Sequence, residues 1–436
     1  MTTDRAQEHL SRNFWLGVAS GVGYNLYTAV ANTQLVMTWF VSELTHSNLL
    51  ISLPTPLDQG SWYFPQLLLS GYLQRQRRTL PVYRVMAVIR SAAVGLLALS
   101  VFLLDDPSAL LAAFFACFLA NSLAAGIGGL PFMDVVAKTI PPTRRGALFS
   151  WRRLIGGSLG LAGGALVKVV LGPDFGLTFP DNYALLFFLG FIFTIATVGT
   201  FSLVVEPPGL VNPQRVNLVK QLRRAIRLPI QDSGYGRFLA LRLAIIAANY
   251  ALPFYAVYAR RALDAPDDMV GVYLMGSMLA GVLSNLIWGR VSDRRGTRSL
   301  MRLVALTASL APALALLIVH LPQAGLDKSL IFTLVFVVYG AHQTAAFIGG
   351  INYLLELAPA GERTVYVGFT NTILGLAVFS SPAGGLIVDW FGFEPLFLLS
   401  LACGMVAVLL SARLEEPRES SQVPRLKVSP QQAMER

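Results

Sequence analysis

Twelve stretches of this chain are apolar over helix length, and that repetition constrains it more than any other feature. The runs cover about residues 14–41, 48–73, 80–104, 109–135, 148–170, 183–205, 238–260, 269–289, 300–320, 329–355, 367–389 and 395–413. A helix that crosses a bilayer needs about 20 mostly apolar residues. In hydrocarbon its backbone groups must be paired within the structure, which a helix does by itself. Composition agrees: 54% of the 436 residues are hydrophobic and only 13% are charged, against about 25% charged in soluble domains. The sequence therefore predicts an all-α integral membrane protein with twelve transmembrane helices. The second run holds Pro54, Pro56, Asp58, Gly60 and Pro65, so a broken helix is expected there, with its freed backbone groups satisfied by neighbours. The first run is too long for the apolar core of a cleavable signal peptide.

The basic residues set an orientation. A cytoplasmic N-terminus places Arg75, Arg77 and Arg78 inside, with Lys138, Arg144, Arg145, Arg152 and Arg153. Lys220, Arg223, Arg224 and Arg227 follow, and then Arg290, Arg294, Arg295 and Arg298. Outside remain Lys168, Arg260, Arg261 and Lys328, among Asp105, Asp106, Asp174, Asp181, Asp267 and Asp268. Roughly 28 of the 34 Lys and Arg then lie inside, the bias that orients membrane proteins. Both termini are expected in the cytoplasm and the chain in the plasma (inner) membrane. The same bias accounts for the net charge of +10, so no nucleic-acid partner is expected.

The chain divides near its middle. Residues 206–237 form the longest stretch between spans. Within it Val216, Val219, Leu222 and Ile226 share one helical face, while Lys220, Arg223, Arg224 and Arg227 lie off it. That is the pattern of an amphipathic helix on an anionic membrane surface. The expected units are an N-terminal six-helix bundle (1–205), this cytoplasmic linker, a C-terminal six-helix bundle (238–413) and a tail (414–436). The halves echo each other. Gly71 matches Gly289, Pro142 matches Pro359, Gly163-Gly164 match Gly384-Gly385, and Glu206-Pro207 match Glu416-Pro417. Two parallel repeats of six helices hold a substrate between them near the bilayer midplane.

Gly289-Arg-Val-Ser-Asp293-Arg294-Arg-Gly296-Thr-Arg298 resembles the loop motif G-x-x-x-D-R-x-G-R/K of the major facilitator superfamily. It stands between spans eight and nine, as it does there. The corresponding place between spans two and three has Gly71-Tyr-Leu-Gln-Arg75-Gln-Arg77-Arg78, which keeps the glycine and the basic residues but has Arg75 in place of the aspartate. The resemblance implies the superfamily fold, two pseudo-symmetric six-helix bundles, and a secondary transporter working by alternating access. It also implies that Gly289, Asp293, Arg294, Gly296 and Arg298, with Gly71 in the first half, form a gating motif. There Gly289 would allow close helix approach and Asp293 would help close the cytoplasmic side. Gly156-Gly157-Ser-Leu-Gly160-Leu-Ala-Gly163-Gly164 is similar to an antiporter motif but has Leu161 in place of its proline, so direction of transport is not read from it.

In this family spans one, four, seven and ten line the cavity. The resemblance thus selects Tyr24, Asn25, Asn32, Gln34, Asn121, Asn249, Tyr250, His342 and Gln343 as substrate-binding candidates. Ionisable groups at depth are costly and usually functional. Asp58 and Arg90 fall near mid-membrane on neighbouring spans and are expected to pair and to couple transport to protons. Arg242 lies about one turn into span seven and is expected to snorkel to the inner surface.

Other chemistry is not legible. There is no P-loop and no HExxH. Gly156-x-Ser158-x-Gly160 matches a nucleophile elbow in letters but lies in a helix-length apolar run. Cys117 and Cys403 sit in apolar runs and form neither a disulfide framework nor a metal pair. No catalytic residue, cofactor or metal is expected; the partners are a small-molecule substrate, the bilayer and protons, with the protein a monomer. A receptor or scaffold that keeps the fold without transport is the alternative.

Overall fold

The computed structural model describes residues 9–73, 75–209, 226–322, 327–359 and 362–418, without the side chains of residues 63–71 and 364. Most of the proposed amphipathic linker helix lies outside these residues. Helices dominate and no strand occurs among the described residues.

Among the described residues the helices group into twelve spans, several of them interrupted. Span one is Leu10–Val30 continued by Thr38–Leu44, span two is Asn48–Ser52 with Pro54–Leu73, and span three is Leu80–Leu103. Spans four to six are Pro107–Thr139, Pro142–Leu171 and Asp181–Ser202. Span seven is Ser233–Ala248 continued by Leu252–Ala262, then come Met269–Arg295 and Thr297–Val319 as spans eight and nine. Span ten is Lys328–Ile331 with Thr333–Leu357, span eleven is Arg363–Val378 with Ala383–Phe391, and span twelve is Phe393–Ala412. Ten of the helical stretches are long and apolar enough to cross a membrane by length and composition alone; interrupted spans one and two complete the twelve.

Local chemistry sets the ends. Asp106 accepts the N–H of Ala109 at 2.7 Å and Pro107 opens the helix, a side-chain cap followed by a proline whose missing N–H costs nothing there. Asp327 does the same for span ten, accepting from the N–H groups of Ser329 and Leu330. The break expected in span two falls at Leu53, with Pro54 starting the next helix. Span one breaks without proline or glycine. The Asn32 side chain accepts N–H bonds from Gln34 (3.1 Å) and Leu35 (3.0 Å) and so begins a π-helical turn, Thr33–Met37.

The two halves pack by the same rule. Span one lies on five and six, two on four, and three on four and six; seven lies on eleven and twelve, eight on ten, and nine on ten and twelve. Between the halves span five meets eight and span two meets eleven, one pair being the image of the other under a six-span shift. Small residues make the first contact close. A Cβ at Gly160 would lie 2.7 Å from Met278 Cε, and one at Gly164 2.8 Å from Met275 Cγ.

Candidate functional site

The apolar core is continuous at one end of the molecule and divided at the other. Around the acidic loops a single cluster joins both halves, from Trp39, Phe40 and Phe114 to Tyr255, Phe332 and Phe397. Polar contacts cross between the halves at the same end. Trp39 Nε1 donates to Asp267 at 3.0 Å, and Asn48 Nδ2 donates to Asp389 at 2.7 Å. Arg260 pairs with Glu43, and Arg261 donates to Thr45 O and Asn48 Oδ1. Around the basic loops the core is two clusters, one built on Val18, Tyr83 and Phe201 and the other on Tyr235, Phe238 and Tyr353.

Each half closes its own basic end with a carboxylate clasp. In the first half Glu206, past span six, accepts the N–H groups of Thr79 and Leu80, both at 2.9 Å. Those are donors at a helix start, which the helix itself leaves unpaired. Lys138 of span four holds Glu206 at 2.9 Å and Asp134 at 2.6 Å. In the second half Glu416, past span twelve, accepts the N–H of Arg298 at 3.0 Å. Thr297 donates to Glu356 of span ten, and Arg418 pairs with Glu356 at 2.8 Å.

Between these ends lies a polar centre. In the first half Thr33 donates to Asp58 at 3.3 Å. Arg90 Nε donates to Asn121 at 3.3 Å, and Asn121 donates on to the Tyr27 hydroxyl at 3.0 Å. The Arg90 guanidinium stands 5.8 Å from the Tyr27 ring centroid. Arg152 of span five crosses the Gly17–Gly21 stretch of span one, donates to Gly17 O, and lies 5.0 Å over the Phe132 ring. Tyr24 is in electrostatic reach of Asp58, Arg90 and Arg152. It lies about 21 Å along its helix from Leu10, yet 47% of it is exposed. A tyrosine so deep, facing charged groups and still open, lines a cavity. In the second half His342 is buried, with Nδ1 3.0 Å from Thr307 Oγ1 and Nε2 3.5 Å from Asn249 Nδ2. The Tyr250 hydroxyl bonds Ser380 in the break of span eleven.

Residues 237–435 match the family model described as Major Facilitator Superfamily. A single-residue mutant of the nucleoside transporter NupG superposes with a TM-score of 0.71 at 14% identity, covering 92% of this chain and 99% of that one. A D-xylose-proton symporter gives 0.71 at 15%, covering 94% and 99%. The chain thus has the fold of these transporters, and its second half is similar in sequence to the Major Facilitator Superfamily. Among curated proteins, the riboflavin transporter RibZ of Clostridioides difficile (strain 630) is 26% identical over 156 residues, 34% of this chain. The match spans about a third (32%) of that relative's length.

Within the major facilitator fold the expected site residues sort unequally. Asn121, Asn249, Tyr250 and His342 hydrogen-bond at the centre, and Tyr24 lines the cavity there. Asn25 bonds Gly21 O within its own helix at 2.8 Å and packs on Gly156. Asn32 is taken up as the cap of the π turn. Gln34 is half-buried and Gln343 exposed. Asp58 and Arg90 are electrostatic neighbours, but no ion pair joins them among the described residues; Thr33 and Asn121 supply their hydrogen bonds instead. Arg242 does not snorkel. Its guanidinium fills the notch at Gly350 and donates to Ala346 O of span ten at 2.9 Å.

The segment expected to gate also departs from a loop. Gly289, Asp293 and Arg294 lie in the last turns of span eight, and the chain turns at Gly296, whose φ of 84° favours glycine. Gly289 makes no close helix approach, since a Cβ there would meet nothing within 4 Å; span eight meets span ten here instead through Trp288 and Ser292. Asp293 and Arg294 are exposed, and the backbone carbonyl of Asp293 accepts from Arg418 at 3.3 Å. Gly71 lies near the end of span two, where the side chains fall outside the described residues. Sequence reading passed over Tyr27, Thr33, Thr307, Ser380 and Arg152 as central residues. For Arg152 the missing signal was the helix start. Span five begins at Pro142 rather than 148, which carries Arg152 about 15 Å into the helix.

Proposed function

We propose that this protein is a secondary active transporter that carries a small organic solute across the membrane by alternating access, seen here open toward the cytoplasm. The observation that carries the reading is the continuous core at the acidic end against the two separate cores at the basic end, with Tyr24 exposed between them. Two bundles that share one end and part at the other form half of an access cycle about a central site. The positive-inside bias supports a cytoplasmic assignment of the divided end and of both termini. The linker at 206–237 and the tail from 414 are assigned to that side. Asp58, held by Thr33 beside Arg90, is the proposed proton carrier, since a carboxylate whose neighbours change as the halves move can exchange a proton.

The test joins topology to flux. Cysteines introduced at Asp106 and Asp267 in a cysteine-free background should react with an impermeant maleimide added outside intact cells, and one at Gln221 only after permeabilisation. Proteoliposomes should then take up a labelled solute, and nucleosides, D-xylose and riboflavin form the first panel because the similar proteins carry those names. Reversed labelling sinks the orientation. If no solute in a broad panel moves, the transport reading fails.

A further inference from the structure

We infer that the central cavity holds its substrate by an oxyanion, a carboxylate or a phosphate, bound to the guanidinium groups of Arg90 and Arg152. The inference rests on the transport reading above and narrows its substrate class.

Three arginines reach a common depth. Arg90, Arg152 and Arg242 stand nine or ten residues in from the basic-end starts of their helices at Leu80, Pro142 and Ser233, or about 15 Å at 1.5 Å per residue. Among the described residues the carboxylate nearest this level is Asp58, about 22 Å in from Leu73. Asp134 and Glu356 belong to the basic-end clasps, while Glu43 and Asp389 belong to the opposite end. The centre therefore carries more positive than negative charge. An arginine at helix centre is costly even on the mildest scales, and an anion in the cavity offsets that cost.

Two of the three have donors to offer. Arg90 makes one side-chain hydrogen bond among the described residues, through Nε, and Arg152 makes one, through a terminal nitrogen to Gly17 O. Each guanidinium has five N–H donors in a fixed fork that fits carboxylate and phosphate oxygens. Their other contacts are aromatic faces, Tyr27 and Phe132, which orient a guanidinium without using its N–H edge. Tyr24, open to the cavity and near both, is placed to donate its hydroxyl to the same anion or to pack on its carbon skeleton. Arg242 is set aside, because its side chain is engaged by span ten. A cationic solute would meet this surface with like charge, and a neutral one would leave the arginine donors unmatched.

The experiment measures binding apart from flux. Full-length protein in detergent is heated with acetate, benzoate, citrate, phenyl phosphate or inorganic phosphate, and with benzamide and benzylamine as neutral and cationic counterparts, at matched ionic strength. At least one acid should raise Tm where its neutral counterpart does not. Its apparent Kd should rise roughly tenfold or more in Arg90→Gln and in Arg152→Gln, and stay unchanged in Arg12→Gln at the basic end. The carboxylate and phosphate arms tell the two oxyanions apart. Arg90→Lys, which keeps the charge, should lose less than Arg90→Gln, and each variant must elute as a monodisperse peak. The proposal is overturned if no acid gives an arginine-dependent shift, or if benzylamine gives the strongest one. Arginine-dependent binding without flux in liposomes would keep the anion site and remove the transport reading. Flux of a neutral solute with no binding of acids would do the reverse.

Discussion

At its basic end each half solves one problem in the same way. A glutamate just past the last span reaches back to the start of the third: Glu206 to Thr79 and Leu80, Glu416 to Arg298. At the centre the halves part company. The first half places Asp58, Arg90 and Arg152 there, while the second places His342, Asn249, Thr307 and Tyr250, with its Arg242 engaged by its own span ten. The likeness of the halves is kept where a helix end must be capped and lost where the cavity must recognise something. On the transport and anion readings proposed above, the first half supplies the charge for recognition and coupling, and the second a neutral polar wall.

The sharpest way to break this division is at Asp58. Asp58→Asn should abolish accumulation against a gradient, an effect of about tenfold or more on the steady-state ratio, while leaving exchange intact. His342→Gln should leave accumulation within about twofold, an order-of-magnitude expectation for a group held by neutral partners. Wild-type flux indifferent to an imposed pH gradient would end the coupling role of Asp58.

The clasps should differ in strength despite their likeness. The Glu206 side chain is only 1% exposed and accepts two backbone N–H groups besides pairing with Lys138, which keeps Asp134, so Glu206→Gln should cost about 2–4 kcal/mol. Glu416 is half-buried, and Arg418 keeps its pair with Glu356. Glu416→Gln should therefore cost only about 1–2 kcal/mol. Thermal unfolding of the two variants in one detergent reads the difference, and equal losses would mean the clasps are energetically the same device.

A third effect concerns the motif that only the second half keeps. If Asp293 closes the basic end in the opposite state, Asp293→Asn should slow transport several-fold, on the order of the loss of one charge-assisted hydrogen bond. The protein should remain folded, because that carboxylate faces solvent here. Charge-preserving Asp293→Glu should restore part of the rate. Unchanged rates in Asp293→Asn would reduce the segment to a topogenic turn.

The smallest effect compares two helix starts at the other end. Asp106 opens span four and Asp327 opens span ten. Hydrogen bonds from the Ser329 hydroxyl and the Leu330 N–H hold the Asp327 carboxyl below the usual carboxylate range. Its folded pKa is depressed, so its contribution is present above the unfolded value of about 3.9 and fades as pH falls through the folded one. Asp327→Ala should thus cost about 1 kcal/mol at neutral pH. The gap from wild type should close below about pH 4, which a pH series of melting temperatures checks.

Helix number, the repeat and the break at Pro54 were legible because each depends on composition or on a residue that cannot take part in a helix. The break at Asn32 was not, because an asparagine caps only once its oxygen meets two N–H groups in space. Arg152 was misplaced by six residues of helix that its polar neighbours Arg144 and Arg145 disguised as loop. Asp58 and Arg90 were found by their charge, but their partners were not, since which neutral side chain satisfies a buried ion depends on rotation about helix axes that hydropathy does not encode.

The order in which a ribosome emits the chain gives the clasps unequal histories. Glu206 follows directly on span six, so the first half can be locked while the second is still unmade. Glu416 and Arg418 come after span twelve, and until they emerge the first turn of span nine waits uncapped through the making of spans ten, eleven and twelve. Membrane quality control would meet the second half in that unlatched form for longer. Stop codons or fusions placed between Ala412 and Glu416 should therefore yield chains that insert fully and are nonetheless degraded.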